Sequence, residues 1–332
     1  MKQRLYSLDF LKVIAAVFIT NSHFIPLYEN VNKSLATLGV HGNALFFFVS
    51  GFLLMMGFDK RSKELCFIDW YRSRVRRLWP SVFIWVILSS VICSKILTVS
   101  NLVLMSDYWF LQAIVINYIP FYILMNVLYR KVNRGGYYGK IVFSLSFLAS
   151  VICFFCMPKV SGSPFHSSFH YVCHFSIMIL GAMAYKAKKD TGSSHIYRDT
   201  CWLILSFVSY FLILKIGKGR TDYLYYTQIT ALIPLHLFVY YAYKVASHDW
   251  TTRVFQNRFI GRILSTIANL TLEIYIVQFL IITNKFNWLF PFNTLIVFFL
   301  ICVAAYVLRV FTSFFLYIVS KESFDYKSII KV

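Results

Sequence analysis

The chain has 332 residues, of which 59% are hydrophobic and 14% charged, and it carries a formal net charge of +20. Soluble globular proteins usually carry about a quarter charged residues, so this composition excludes an ordinary soluble domain and indicates a polytopic membrane protein. The seven cysteines are an odd number and fall mostly in apolar runs, which argues against a disulfide framework.

Apolar stretches long enough to cross a bilayer recur along the whole chain. They cover approximately residues 8–28, 39–57, 79–98, 108–128, 139–157, 169–187, 201–216, 227–246, 265–283 and 291–319. No repeat or long polar tail is visible between or after them. We therefore predict an all-α integral membrane protein with about ten transmembrane helices, forming a single domain over residues 1–332.

The basic residues are distributed unevenly between the connecting segments. With the N-terminus in the cytoplasm, 24 of the 33 Lys and Arg fall in cytoplasmic segments and 7 in outside segments, while Lys12 and Arg309 lie within spans. This follows the positive-inside rule and predicts that both termini are cytoplasmic. The inner membrane of a bacterial-type cell is a separate expectation. Membrane topology accounts for the net positive charge. No nucleic-acid partner is predicted, because the basic loops are short and lack a DNA- or RNA-binding motif.

The first span carries three ionisable side chains, Asp9, Lys12 and His23. Lys12 and His23 are 11 residues apart, so on a helix they share a face and lie about 16–17 Å apart along its axis. Asp9 lies on the same side. Two interpretations fit: an interfacial ion pair with a hydrogen-bonded core histidine, or a functional site within the membrane, where ionisable groups are costly to bury.

Five segments occur in a defined order along the chain. The first is LDFLK-x10-H, which contains Asp9, Lys12 and His23. The others are NALFFFVSGFLL (Asn43–Leu54), RVRRLWP (Arg74–Pro80), YWFLQAIVINYIPFYIL and TLEIYIVQF (Thr271–Phe279). Together they resemble the membrane acyltransferase 3 family. The last segment departs from the family pattern, because Gln278 stands where many members have histidine.

The resemblance implies transfer of an acyl group, usually acetyl, from cytoplasmic acetyl-CoA to a hydroxyl of a cell-surface or lipid-linked glycan. Its partners would be acyl-CoA, the glycan acceptor and membrane lipids. The chain resembles the stand-alone branch of the family, which has no fused hydrolase-like domain.

The roles of general base and of donor-binding residues are assigned to the positions of this chain that match the family's motifs. Acyl transfer to a hydroxyl needs a base, and the imidazole of His23 suits that role, with an acyl-histidine intermediate as the alternative. Arg74 and Arg77 match the family's spacing and are expected to bind the phosphates of CoA, because guanidinium groups pair with phosphate oxygens; an anchor at the membrane surface is the alternative. Lys12 is expected to contact the donor, with stabilisation of the helix entrance as the alternative, and Asp9 is expected to orient it.

Further site residues are predicted in other spans. His41, Trp109, Tyr275 and Gln278 are expected to contact the acceptor, with an interface position as the alternative for Trp109. Glu273, a carboxylate in an apolar helix, is expected to be protonated or paired. It is a candidate catalytic residue, and a structural hydrogen bond between helices fits it equally well.

No metal is predicted. The histidines and cysteines that recur in the sixth span and before it lack zinc-site spacing, since they include a single CxxC pair inside an apolar run. These residues are Cys153, Cys156, His166, His170, Cys173 and His174.

A transporter or flippase for a lipid-linked sugar is the competing interpretation. Such a protein is expected to show repeat halves or paired spans broken by Gly or Pro, and neither is clear in this chain. A polysaccharide polymerase usually has a large outside loop, whereas the outside loops here are short.

Overall fold

The computed structural model describes residues 5–60, 66–94, 96–103, 107–128, 136–160, 163–166, 169–187 and 195–320, and within these ranges its regular structure is helical, without strands. The α-helices are α1 (Tyr6–His23), α2 (Gly39–Asp59), α3 (Phe67–Cys93), α4 (Val99–Val103), α5 (Trp109–Tyr122), α6 (Gly136–Cys156), α7 (His170–Ala187), α8 (Ile196–Gly217), α9 (Leu232–Ala246), α10 (Asp249–Gln256), α11 (Ile260–Asn269), α12 (Thr271–Ile281) and α13 (Phe292–Ser320). The all-helical prediction is confirmed for this part of the chain.

Among the described residues, seven helical segments are long and apolar enough to cross a membrane, and the bent pair α11–α12 would make an eighth. The seven are Lys33–Asp59, Phe67–Cys93, Trp109–Val127, Tyr137–Cys156, Ile196–Gly217, Tyr223–Ala246 and Phe292–Ile318. Helices α1 and α7, which correspond to the predicted first and sixth spans, are 18-residue helices outside this set. A multi-pass membrane protein is therefore supported, and the number ten stays a prediction.

The predicted ninth span, 265–283, is wrong as a continuous helix. Helices α11 and α12 meet at Leu270 with a bend of 79°. The Leu270 backbone leaves the helical conformation, and the Thr271 hydroxyl donates to the Ala268 carbonyl, 3.5 Å away, an example of a short polar side chain competing for backbone groups. The 11 residues of α12 rise only about 16–17 Å, which is too short for a hydrocarbon core of about 30 Å.

The third and first spans also have different bounds from those predicted. Helix α3 begins at Phe67, twelve residues before the predicted start at 79, so the arginine-rich segment is the first part of a helix and not a loop. The first turns of α3 are polar, so a prediction based on apolar runs does not include them. Asp69 in the first turn is nevertheless a helix-start signal, because a negative charge suits the positive end of a helix dipole. Helix α1 ends at His23, before the predicted end at 28.

The chain divides into two compact units. The described residues of the first fall within 1–12, 43–65 and 116–256. In this unit α8 packs along α9, and α6 along α7. Ser176 on α7 donates to His236 Nε2 on α9 at 2.8 Å, because His236 Nδ1 already bonds the Leu232 carbonyl and therefore carries the ring proton.

Helices α2 and α7 approach each other through two glycines of the first unit. A Cβ added at Gly51 would overlap the carbonyl oxygen of Met178, and one at Gly181 would overlap that of Phe48. The two glycines therefore allow the backbones of these helices to approach closely.

The described residues of the second unit fall within 13–42, 66–115 and 257–332. Here α3 contacts α4, α12 and α13, and α12 packs along α13. The Trp79 indole donates to the Leu102 carbonyl at 3.0 Å and holds α4 against α3. This unit contains most of the predicted site residues, namely His23, His41, Arg74, Arg77, Trp109, Glu273, Tyr275 and Gln278.

Candidate functional site

His23 is the last residue of α1 and is half-buried. Its ring meets the edge of Phe279, with ring centroids 4.7 Å apart and planes at 67°. The ring therefore lies at the C-terminal end of α1, against an aromatic side chain of α12.

Phe279 belongs to an aromatic cluster, which we define as Tyr108, Tyr275 and Phe279. The Tyr108 ring centroid lies 6.0 Å from that of Tyr275 and 6.4 Å from that of Phe279, and Tyr275 lies 6.2 Å from Phe279. The Tyr108 hydroxyl donates to the Ile276 carbonyl at 3.4 Å. Burial, with a smaller contribution from the charge of Asp107, raises the pKa of Tyr108, so this hydroxyl stays a donor.

The segment after His23 is fixed by Asn21, two residues before it. The Asn21 amide nitrogen donates to the carbonyls of Leu35 at 2.9 Å and Thr37 at 3.1 Å. The Tyr28 hydroxyl donates to the Asn21 side-chain oxygen at 2.6 Å, and burial raises the pKa of Tyr28, which keeps that proton in place. One side chain in the last turn of α1 thus bonds both Tyr28 and the backbone at residues 35 and 37.

Two asparagines near the start of α13 hold the same segment from another side. The Asn287 amide donates to the Pro26 carbonyl at 2.8 Å, and the buried Asn293 amide donates to the Leu27 carbonyl at 3.1 Å. The backbone directly after His23 is therefore positioned by residues more than 250 positions away.

The start of α2 packs closely against the end of α1. A Cβ added at Gly39 would lie 2.6 Å from the Ser22 hydroxyl, and one at Gly42 would lie 2.7 Å from the Ile19 side chain and 2.8 Å from the Ala15 carbonyl. His41 lies between these glycines and is buried, with 1% of its surface exposed. The structure thus places His41 on a segment that contacts the last turns of α1.

Asp9 and Lys12 form the predicted ion pair. Lys12 Nζ lies 2.7 Å from Asp9 Oδ1, and both side chains are largely buried, with 22% and 9% of their surface exposed. Both residues lie in the first half of α1, the helix that ends at His23. The pairing is confirmed, and a contact of Lys12 with the donor stays a prediction.

The arginines lie in the first turns of α3. The Arg74 guanidinium lies 5.7 Å from the centre of the Trp70 ring, a cation–π distance, while Arg77 is exposed one turn later. Trp70 is buried and holds Arg74 to the helix surface. Arg77 has the more accessible guanidinium of the two.

Glu273 is fully buried in the first turn of α12 and is paired between helices. Its Oε1 accepts from the Ser81 hydroxyl of α3 at 3.0 Å and from Arg309 Nη1 of α13 at 3.2 Å. The expectation that this carboxylate is paired is confirmed. On a continuous helix Thr266 and Asn269 would share a face with Glu273, but they lie on α11 beyond the bend and do not continue that face.

The remaining predicted residues differ in exposure. Tyr275 belongs to the aromatic cluster, and Trp109 is half-exposed at the start of α5, with its ring 6.1 Å from that of Phe110. Gln278 is fully buried, and no described residue hydrogen-bonds either polar atom of its amide. Such a buried amide is costly without a partner, so Gln278 is a candidate for contact with a ligand.

Several residues at this site were missed by the sequence analysis as site residues. Phe279 and the three asparagines give no local signal, because a phenylalanine in an apolar helix and an asparagine near a loop are both ordinary. Their role follows from contacts between segments distant in the chain.

These features define a multi-pass helical membrane protein with a histidine fixed at the end of one helix and arginines at the start of another. A family model described as an acyltransferase domain, that of acyltransferase 3, matches residues 5–317. The chain therefore belongs to this family, as the five sequence segments predicted. No curated protein and no solved structure matches the chain.

Proposed function

We propose that the protein is a membrane O-acyltransferase that moves an acyl group, in the first instance acetyl, from cytoplasmic acyl-CoA to a hydroxyl of a cell-surface or lipid-linked glycan. Membership of the acyltransferase 3 family supports acyl transfer. The observation that carries the mechanism is the position of His23, half-buried at the end of α1 with the backbone after it fixed by Asn21, Asn287 and Asn293.

The proposed reaction uses His23 as a general base. The imidazole accepts the proton of the acceptor hydroxyl while the hydroxyl oxygen attacks the thioester carbonyl carbon. The carbon–sulfur bond then breaks, the acyl group becomes an ester, and the imidazolium returns its proton to the CoA sulfur. Because a thioester is already activated, this direct route needs no acyl-enzyme intermediate.

The donor is proposed to bind from the end of α3 that carries the arginines. Arg77 is exposed there and Arg74 is held against Trp70, so both guanidinium groups lie in the first turns of one helix. Guanidinium groups bind phosphate oxygens in a bidentate geometry, which suits the phosphorylated nucleotide of CoA. Lys12 is proposed as a further contact to the donor.

Roles for five further residues extend this proposal. Glu273 is proposed to support catalysis, and its pairing with Ser81 and Arg309 suits a residue that positions α12 beside α3 and α13. His41, Trp109, Tyr275 and Gln278 are proposed to contact the acceptor; Tyr275 shares the aromatic cluster with the ring that touches His23, and the buried amide of Gln278 suits a polar ligand group.

The proposal is tested with acetyl-CoA that is radiolabelled in its acetyl group, added to membranes that contain the protein. We expect label that is released by mild alkali, as an ester is, in the glycan or glycolipid fraction. Membranes from cells without the protein are the control. If neither acetyl-CoA nor succinyl-CoA labels any glycan, the proposal fails, and a transporter of a lipid-linked sugar becomes the better explanation.

A further inference from the structure

A cavity of about 440 Å³ lies in the second unit. Small-molecule sites typically measure about 300–1,000 Å³. The cavity is bounded by the last turns of α3, the 96–101 segment, residues 107–108 and the end of α12. It thus lies at the end of α3 opposite the arginines, since Arg77 and Ser89 are 12 residues apart, or about 18 Å along the helix.

The polar groups of this cavity suit hydroxyl groups. Ser89, Ser90, Asn101, Asp107 and Tyr108 line it, and these supply hydroxyl, amide and carboxylate atoms. No Lys, Arg or His occurs among the described lining residues, while Lys95 and residues 104–106 lie outside the described part of the chain. A carboxylate accepts hydrogen bonds from hydroxyls and repels phosphate, so this chemistry favours a neutral polyol over an anion.

Two of these polar groups are held in place before any ligand binds. The Asn101 amide donates to Asp107 Oδ1 at 2.9 Å, and the Asn101 side-chain oxygen accepts from the backbone and the hydroxyl of Thr98. Preorganised groups lose less entropy when a ligand binds.

The apolar part of the lining is aromatic. Trp85, Tyr108 and Phe279 contribute rings, and the Tyr108 hydroxyl is fixed through its bond to Ile276. Sugar rings present C–H faces that pack on aromatic rings while their hydroxyls bond to carboxylates and amides. A small number of fixed polar groups beside aromatic walls is the pattern of a small-molecule site.

The cavity adjoins the candidate base through one side chain. Phe279 lines the cavity, is 50% exposed, and packs edge-on against the His23 ring at 4.7 Å. A ring bound in the cavity would therefore lie next to His23, separated from it by one phenyl group.

From these observations we propose that the cavity is a subsite for a neutral sugar ring of the acceptor, with Asp107 and Asn101 bonding its hydroxyls and Tyr108 and Phe279 packing on its face. This subsite rests on the proposed function for its role in acyl transfer, but sugar binding itself is measurable without any acyl donor.

Cys93 provides the readout, because it is exposed and lines the cavity. The full-length protein in detergent is alkylated with a maleimide in the presence of methyl glucoside, methyl galactoside or methyl N-acetylglucosaminide at high millimolar concentration. Mass spectrometry then gives the rate at Cys93 and, as an internal reference, at Cys66, which is exposed at the start of α3.

We expect at least one glycoside to slow alkylation of Cys93 several-fold and to leave Cys66 unchanged, and we expect inorganic phosphate to have no effect. Asp107→Ala and the conservative Asp107→Asn should both lose the protection, whereas Asp249→Ala, which changes an exposed carboxylate of the first unit, should keep it. Since Asp107 is exposed, these variants are expected to fold.

The subsite is refuted if no glycoside protects Cys93, if Cys66 slows equally, or if phosphate protects Cys93 instead. A positive acetyl-labelling result combined with no protection of Cys93 would remove the subsite and leave the acyltransferase standing. Protection of Cys93 without any acyl transfer would keep the sugar site and remove the proposed function.

Discussion

At the scale of single residues, Arg77 gives a clear test of donor binding. Its guanidinium is exposed in the third turn of α3, so replacing it should change ligand binding more than folding. A hydrogen bond to a charged group contributes about 1.5–3 kcal/mol, and a loss of about 1.4 kcal/mol corresponds to tenfold in affinity. We expect Arg77→Ala to weaken CoA binding about tenfold or more, measured by calorimetry on the purified protein.

Arg76 supplies the matched control for this measurement. It is an exposed neighbour on the same helix and has no assigned role, so Arg76→Ala should bind CoA with nearly the affinity of the wild type. Equal losses in both variants would show a general effect of positive charge. Unchanged affinity in Arg77→Ala would remove the phosphate-binding assignment.

Side-chain interactions could be predicted where both partners are close in the sequence or where burial alone requires a partner. The Asp9–Lys12 pair follows from i, i+3 spacing, and the pairing of Glu273 follows from the cost of burying a carboxylate. The partners of Glu273 did not follow, because Ser81 is 192 residues away and Arg309 is 36. The asparagine contacts around His23 are equally distant and leave no periodic pattern to detect.

At the scale of helices, the approach of α2 to α7 depends on Gly51 and Gly181. A methyl group at either position would overlap a backbone carbonyl of the facing helix, and a backbone cannot move aside as a side-chain tip can. Overpacking of a close-packed interior costs about 1–3 kcal/mol and occasionally more. We expect Gly51→Ala and Gly181→Ala each to lower the thermal midpoint and the folded yield in size-exclusion chromatography.

Gly139 on α6 is the control for these substitutions. A Cβ there would lie 3.4 Å from the Met183 side chain, an ordinary contact, so Gly139→Ala should keep the wild-type midpoint. If all three variants behave alike, the helix contact at Gly51 and Gly181 is not the cause of the loss.

Helix boundaries show where hydropathy is informative and where it is not. Spans such as 108–128 and 139–157 were predicted within a few residues, because the apolar run and the helix coincide there. Helix α3 begins well before its apolar run, and the run at 265–283 contains a bend of 79° that hydropathy does not register. Bends depend on local backbone bonds, here at Leu270 and Thr271, and not on average apolarity.

At the scale of the whole molecule, orientation in the membrane is the main open prediction. The excess of Lys and Arg in alternate segments predicts cytoplasmic termini and therefore places the start of α3 inside and its end outside. Two native cysteines mark these ends, since Cys66 precedes α3 and Cys93 is its last residue, and both are exposed. The 27 residues of α3 span about 40 Å, enough to reach both surfaces.

A membrane-impermeant maleimide applied to intact cells should therefore label Cys93 and leave Cys66 unmodified, while permeabilised cells should show labelling of both. Variants that retain only one of the two cysteines distinguish the sites. Labelling of Cys66 alone in intact cells would reverse the predicted orientation and would place the arginines, and with them the proposed donor site, outside.

The role of His23 as general base is tested most directly by the rate of acyl transfer by the purified protein in proteoliposomes, with labelled acetyl-CoA and a membrane glycan extract. General-base catalysis typically contributes about 10²–10⁴-fold, so we expect His23→Ala and His23→Gln to lose at least about 100-fold in rate while binding CoA normally. His195→Ala serves as the control and should keep the wild-type rate, because His195 is exposed at the N-cap position of α8 and its side chain makes no capping hydrogen bond. Transfer at the wild-type rate by folded His23→Ala protein would contradict the account.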